Sequence, residues 1–172
     1  MNTKLATILL LASATSLAAC AKKAPEQLPP PPEPAPTVTQ PAPAVQPSGP
    51  QVGSQQHFAV AVGSSTTIYF DTDRYNVDSQ DAAALQAQAQ YFAQYPQVTF
   101  TIEGHADERG TREYNLALGE RRATAAKNFL VSLGVNANRI SVVSYGKERP
   151  VALASNEGAW AQNRRAASVI IN

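Results

Sequence analysis

Thr66-Thr67-Ile68-Tyr69-Phe70 is β-branched and aromatic, which predicts a strand. Asp78-Ser79 then offers a helix N-cap, and Leu85, Ala89 and Phe92 recur at helical spacing within Gln80–Tyr95. Pro96 stops that helix. Val98–Glu103 alternates and predicts a second strand. Glu113–Leu133 reads as a long helix closed by Gly134. Ile140–Tyr145 predicts a third strand, Asn156–Asn163 a short helix and Ala166–Ile171 a last strand. Phe58–Val62 reads as an extra edge strand. Short strands interleaved with helices predict a two-layer α/β domain.

The pattern is absent upstream. Of 13 prolines, 11 fall between Pro25 and Pro50, leaving only Pro96 and Pro150 beyond them. Residues 1–19 read as an export signal: Lys4 opens it, and Leu5–Leu17 is an apolar or small-residue run of 13, too short to span a bilayer. Leu17-Ala18-Ala19-Cys20 resembles the bacterial lipobox, which implies a diacylglycerol on the Cys20 thiol and cleavage just before it. Ala21-Lys22 follows, without the Asp that retains such proteins at the inner membrane in enterobacterial-type sorting, and so resembles an outer-membrane destination. Residues 20–56 then form the lipidated Cys and a Pro-rich linker. Proline fixes φ and removes donors, so this stretch favours polyproline II. Some 27 residues at about 3.1 Å each would reach roughly 80 Å. The folded domain is expected over residues 57–172.

Charge narrows the function. The whole chain of 172 residues carries +1, and from Gln51 onward 11 Lys/Arg balance 11 Asp/Glu. A nucleic-acid binder is therefore not indicated. One Cys excludes an intramolecular disulfide framework. The chain has no GxGxxG and no Walker loop, so no nucleotide cofactor is expected. His105 and Asp107 could begin a metal site, but His57 is distant and a third ligand is not evident, so no metal is expected. His105 is expected to hydrogen-bond within its loop. Glu103, Asp107 and Glu108 are reminiscent of the paired acids of glycoside cleavage, yet clustered loop acids are usually solvated or paired. Arg109, Arg112, Arg121 and Lys127 interleave with Glu108, Glu113 and Glu120, as on a mixed exposed face. Gly119 inside a helix costs about 1 kcal/mol relative to Ala, and marks either close packing or tolerance.

The informative stretch is 102–123, a strand running through a polar loop into a helix. Leu118, Ala125, Phe129 and Leu133 share one helical stripe, and Arg122 falls on it. Asn115, seven residues earlier, points the same way. A guanidinium among core positions needs a partner. Asp107, in the loop entering the helix, is one candidate and Asp73, after the first strand, is another. Spacing leaves two readings: an internal salt bridge that fixes the loop, or a polar pocket at one end of the sheet. Such a pocket would suit a zwitterion, with Arg122 on its carboxylate and an Asp on its ammonium.

Tyr69-Phe70-Asp71-Thr72-Asp73, Glu103-Gly104-His105-Ala106-Asp107-Glu108-Arg109-Gly110-Thr111, Tyr114-Asn115 and Leu118-Gly119-Glu120-Arg121-Arg122-Ala123 together resemble the OmpA-like C-terminal domain family. Ser144-Tyr145-Gly146-Lys147-Glu148-Arg149-Pro150 and Asn163-Arg164-Arg165-Ala166 extend the resemblance, which runs from about Ile68 to the C-terminus. It implies an α+β sandwich: a small mixed β-sheet with helices on one face, ordered β-α-β-α-β-(α)-β. For the lipidated, peptidoglycan-associated members it also implies non-covalent, non-enzymatic binding of peptidoglycan through the diaminopimelate of its peptide stem. The binding positions fall on Asp73, Asp107, Asn115, Leu118 and Arg122. Thr72 departs from the pattern, since many relatives carry an aromatic there, and an aromatic pocket wall is expected to be missing. The resemblance further implies outer-membrane anchorage through Cys20, a domain facing the periplasm, a TolB-type periplasmic partner and membership of the Tol–Pal system in envelope integrity and cell division. A peptidoglycan-cleaving enzyme and a protein-binding envelope scaffold are the alternatives.

Overall fold

The structure, a computed structural model, describes residues 49–171. The expected export signal, Cys20 and most of the expected linker lie outside the described residues. The elements run α1 (Gln55–Val62), β1 (Thr67–Tyr69), α2 (Ser79–Gln94), β2 (Phe100–His105), α3 (Arg112–Ser132), β3 (Ile140–Gly146), α4 (Glu157–Asn163) and β4 (Arg165–Val169). The four strands form one mixed sheet in the order β1-β4-β2-β3. β2 and β3 are parallel, whereas β4 runs antiparallel to both β1 and β2. This is the α+β architecture that the element order and the resemblance led one to expect.

Most boundaries shift by a residue or two, but Phe58–Val62 is corrected outright. It is helical, not an edge strand. The Ser54 hydroxyl accepts the His57 amide at 3.1 Å and starts the turn, and Gly63 ends it at φ 59°. The apparent alternation was misleading because only Phe58 of this helix is buried, while Val60 is 72% exposed. Phe58 packs into a core with Ile68, Leu85, Phe92, Ile102 and Leu130. The Phe92 and Phe100 rings stack at 3.7 Å between α2 and β2.

Arg139 closes the far end of α2. Its guanidinium donates to the carbonyls of Phe92, Tyr95 and Val98 at 2.8–3.0 Å. Terminal carbonyls that no helix bond reaches are thereby satisfied.

The buried face of α3 also differs from the expected stripe. Asn115, Leu118, Gly119, Arg122, Ala123, Ala126 and Leu130 are buried, while Ala125 and Phe129 are only partly so and Leu133 is 40% exposed. The reason is backbone contact. Gly119 of α3 lies directly on Gly104 of β2, and a Cβ on Gly104 would be driven into the Gly119 carbonyl. That contact turns the helix so that Gly119, Ala123 and Ala126 join Leu118, Arg122 and Leu130 on its buried face. It also carries Asn115 and Arg122 towards the C-terminal end of β2.

Candidate functional site

At that end lies a cavity of about 260 Å³, lined by Thr72, Asp73, Ala106, Asp107, Arg109, Gly110, Tyr114, Asn115, Leu118 and Arg122. The five residues singled out in the sequence, Asp73, Asp107, Asn115, Leu118 and Arg122, all line it. Small-molecule pockets begin near roughly 300 Å³, so the space fits a head group better than a whole ligand.

Three elements build it. The first is the turn after β1, where the Arg74 amide donates to the Asp71 carbonyl and Asp73 takes φ 55°. Asp tolerates this left-handed backbone better than most residues. The second is the loop after β2, tied down where the Ala106 amide donates to the Gly146 carbonyl at 2.8 Å. Lys147 Nζ also donates to the carbonyls of Glu108 and Gly110. The third is the first turns of α3, started by Thr111, whose hydroxyl accepts the Tyr114 amide. Asn115 Nδ2 donates to the Arg109 carbonyl at 2.6 Å, joining loop to helix.

Arg122 is 0% exposed and forms the floor. It does not pair with Asp107; among the described residues no ion pair joins them. Instead Nε donates to Arg74 O (2.9 Å), Nη1 to His105 O (2.8 Å) and Nη2 to Asp71 O (3.1 Å). The expected partner is an acid; the observed partners are two carbonyls of the turn after β1 and the carbonyl of the last residue of β2. Carbonyls at strand ends lack ladder bonds, and a buried planar donor fork satisfies several at once. Burial, with Arg164 nearby, pushes the guanidinium pKa down to about 10, against the charges of Asp107 and Asp73. It remains a cation at neutral pH.

Asp107 is paired with two other arginines. Its Oδ1 accepts from the backbone N and Nε of Arg109, both at 3.1 Å, and its Oδ2 from Arg109 Nη2 at 2.7 Å. Arg164 Nη1 also approaches Oδ2, at 3.5 Å. Burial pushes the carboxyl pKa up, but these donors together hold it below the usual carboxylate value. Asp73 Oδ1 accepts from the Tyr114 hydroxyl at 3.1 Å.

Arg109, Tyr114 and Arg164 were therefore missed as site residues. Charge alternation places Arg109 on a mixed exposed face, although the Asp-x-Arg spacing is a local signal for the pairing observed. Arg164 stands 57 residues from Asp107, where spacing gives no cue. Tyr114 bears on the departure at Thr72. It lines the cavity and is 46% exposed, so an aromatic ring is present from α3.

The rival assignments separate in space. His105 is not in the loop but ends β2, 1% exposed, and among the described residues neither ring nitrogen has a hydrogen-bond partner. Its expected loop hydrogen bond is thus not made. Its nearest acid is Glu103, at 3.7 Å. His57 lies elsewhere, its Nδ1 3.0 Å from the Tyr91 hydroxyl. Among the described residues no group of three His, Cys, Asp or Glu is placed to hold a metal. Glu108 accepts the Trp160 indole N–H at 2.9 Å, so Glu103, Asp107 and Glu108 each have a separate neighbour.

A sequence profile described as the OmpA family matches residues 69–164, more than half of the chain. A protein of Rhizobium meliloti (strain 1021) named peptidoglycan-associated lipoprotein is 56% identical over 118 residues, 69% of this chain and 66% of its own length. One of the same name from Brucella melitensis biotype 1 is 53% identical over 118 residues, 69% of each chain. The crystal structure of the peptidoglycan-associated lipoprotein from Burkholderia pseudomallei is 51% identical, with a TM-score of 0.60, covering 62% of this chain and 90% of that one.

Proposed function

The chain belongs to the OmpA family, and from that membership we propose that it is a non-enzymatic tether binding peptidoglycan through the diaminopimelate of the peptide stem. The observation that carries the reading is the convergence of Asp73, Asp107, Asn115, Leu118 and Arg122 on one small cavity. Diaminopimelate ends in an ammonium and a carboxylate on one carbon. Asp107 and Asp73 are acceptors for the ammonium. Arg122 supplies the charge that draws the carboxylate, and among the described residues three of its five N–H hydrogens are engaged, which leaves two for a ligand. Leu118 gives the methylene chain an apolar wall, and Asn115 braces the loop. The names of the relatives support the same ligand class.

Anchorage follows from Cys20. One acyl chain binds marginally and several bind durably, at about 0.8 kcal/mol per buried CH₂. With the lipid in the outer membrane and the domain in the periplasm, the Pro-rich linker spans the gap between membrane and wall. Many anchored copies facing one polymer act by avidity. A TolB-type partner and a place in the Tol–Pal system complete the reading.

Incubation with purified sacculi tests it. The full chain is expected to co-sediment without releasing soluble fragments, and Asp107→Ala to stay in the supernatant. Arg164 keeps partners at Phe70 and Glu157 in that variant, so the fold is expected to survive. Soluble muropeptides would instead indicate a cleaving enzyme. Failure of the wild type to sediment would leave a protein-binding scaffold.

A further inference from the structure

An ionised carboxylate offers about four lone-pair sites, and on Asp107 four donors approach them. Three come from Arg109 and one from Arg164. An incoming ammonium must therefore displace a donor. Arg164 is poorly placed to leave: its side chain is 7% exposed, Nε is bound to the Phe70 carbonyl at 2.9 Å and Nη2 to Glu157 at 2.7 Å. The Arg109 side chain is 40% exposed. Beyond Asp107 it has, among the described residues, a 3.3 Å bond to Thr72 Oγ1 and the face of Trp160, 4.2 Å from its guanidinium carbon.

Building on the binding reading above, we propose that Arg109 is an internal stand-in for the ligand's ammonium and sets the specificity of the site. Its guanidinium holds Asp107 in the empty protein. The ligand's cation replaces it there, and Arg109 swings off the carboxylate and off the Trp160 ring. The Arg109 backbone N–H and Arg164 stay on Asp107, so the carboxylate remains oriented. A ligand with a carboxylate but no cation brings nothing to exchange and leaves Arg109 in place. The pocket thereby selects a zwitterion over a simple acid.

Trp160 is the only tryptophan in the chain, so its emission reports directly on Arg109. The full chain and its Arg109→Gln variant are each titrated with L-alanyl-γ-D-glutamyl-meso-diaminopimelate, with heat and Trp emission read together. In the wild type, binding is expected to change the emission. In Arg109→Gln, binding is expected to tighten several-fold to about tenfold, because a charge-assisted paired contact no longer has to be broken, and the emission change is expected to vanish. Equal or weaker binding by Arg109→Gln, or wild-type binding with no emission change, would overturn the exchange while leaving the binding reading intact. No wild-type binding would overturn both.

Discussion

His105 shows how a single side chain couples the stability of the fold to pH. It is buried without a side-chain hydrogen bond among the described residues, and burial, followed by the charges of Arg165 and Arg149, lowers its pKa from 6.5 to about 4. The unfolded chain therefore binds a proton between those values that the folded chain refuses. Stability is full above about pH 6.5 and falls as pH drops towards 4, by roughly 2–3 kcal/mol. Urea unfolding across that interval is expected to show the loss, and His105→Leu to flatten it. A wild-type midpoint that does not move would contradict the assignment. Arg122→Lys keeps the charge but leaves one nitrogen to serve three carbonyls. It is expected to cost about 2–4 kcal/mol, read by the same unfolding curve. The five cavity residues were legible because the helical period and the loop order of acid before Arg put them in reach. The actual partner of Arg122 was not legible, because backbone carbonyls carry no residue identity. Arg109 was hidden by its neighbours, since alternating charges look alike whether solvated or paired.

Elements were readable wherever caps and period agreed, as in α2 with Asp78 at its start. They were misread where a short apolar run had to be told from a strand without its contacts, as at Phe58–Val62. The contact of α3 with β2 lies between these cases. Gly119 signalled either close packing or tolerance, and only its position over Gly104 decides for packing. Gly104→Ala is therefore expected to force helix and sheet apart, at about 3 kcal/mol or more. Thermal unfolding reads the loss. Stem-peptide binding should weaken with it, since the same helix carries Asn115, Leu118 and Arg122. A Gly104→Ala protein as stable as wild type would mean that the helix does not sit on the strand backbone.

At the scale of the whole molecule, the proposed function rests on two attachments on either side of a Pro-rich stretch, a lipid at Cys20 and a peptide at the domain. Cys20→Ser is expected to move the protein from the membrane fraction to the soluble periplasmic fraction while leaving sacculus binding by the domain unchanged. Recovery of that variant in membranes would point to another anchor. The wall end is tested most directly by calorimetry on the full chain with two stem tripeptides, one ending in meso-diaminopimelate and one in lysine. Both have the side-chain ammonium, but only the first has a carboxylate beside it. The diaminopimelate peptide is expected to bind at least about tenfold more tightly, as removal of a carboxylate facing a guanidinium requires. Equal affinity for the two would contradict recognition of an amino-acid head group in this cavity.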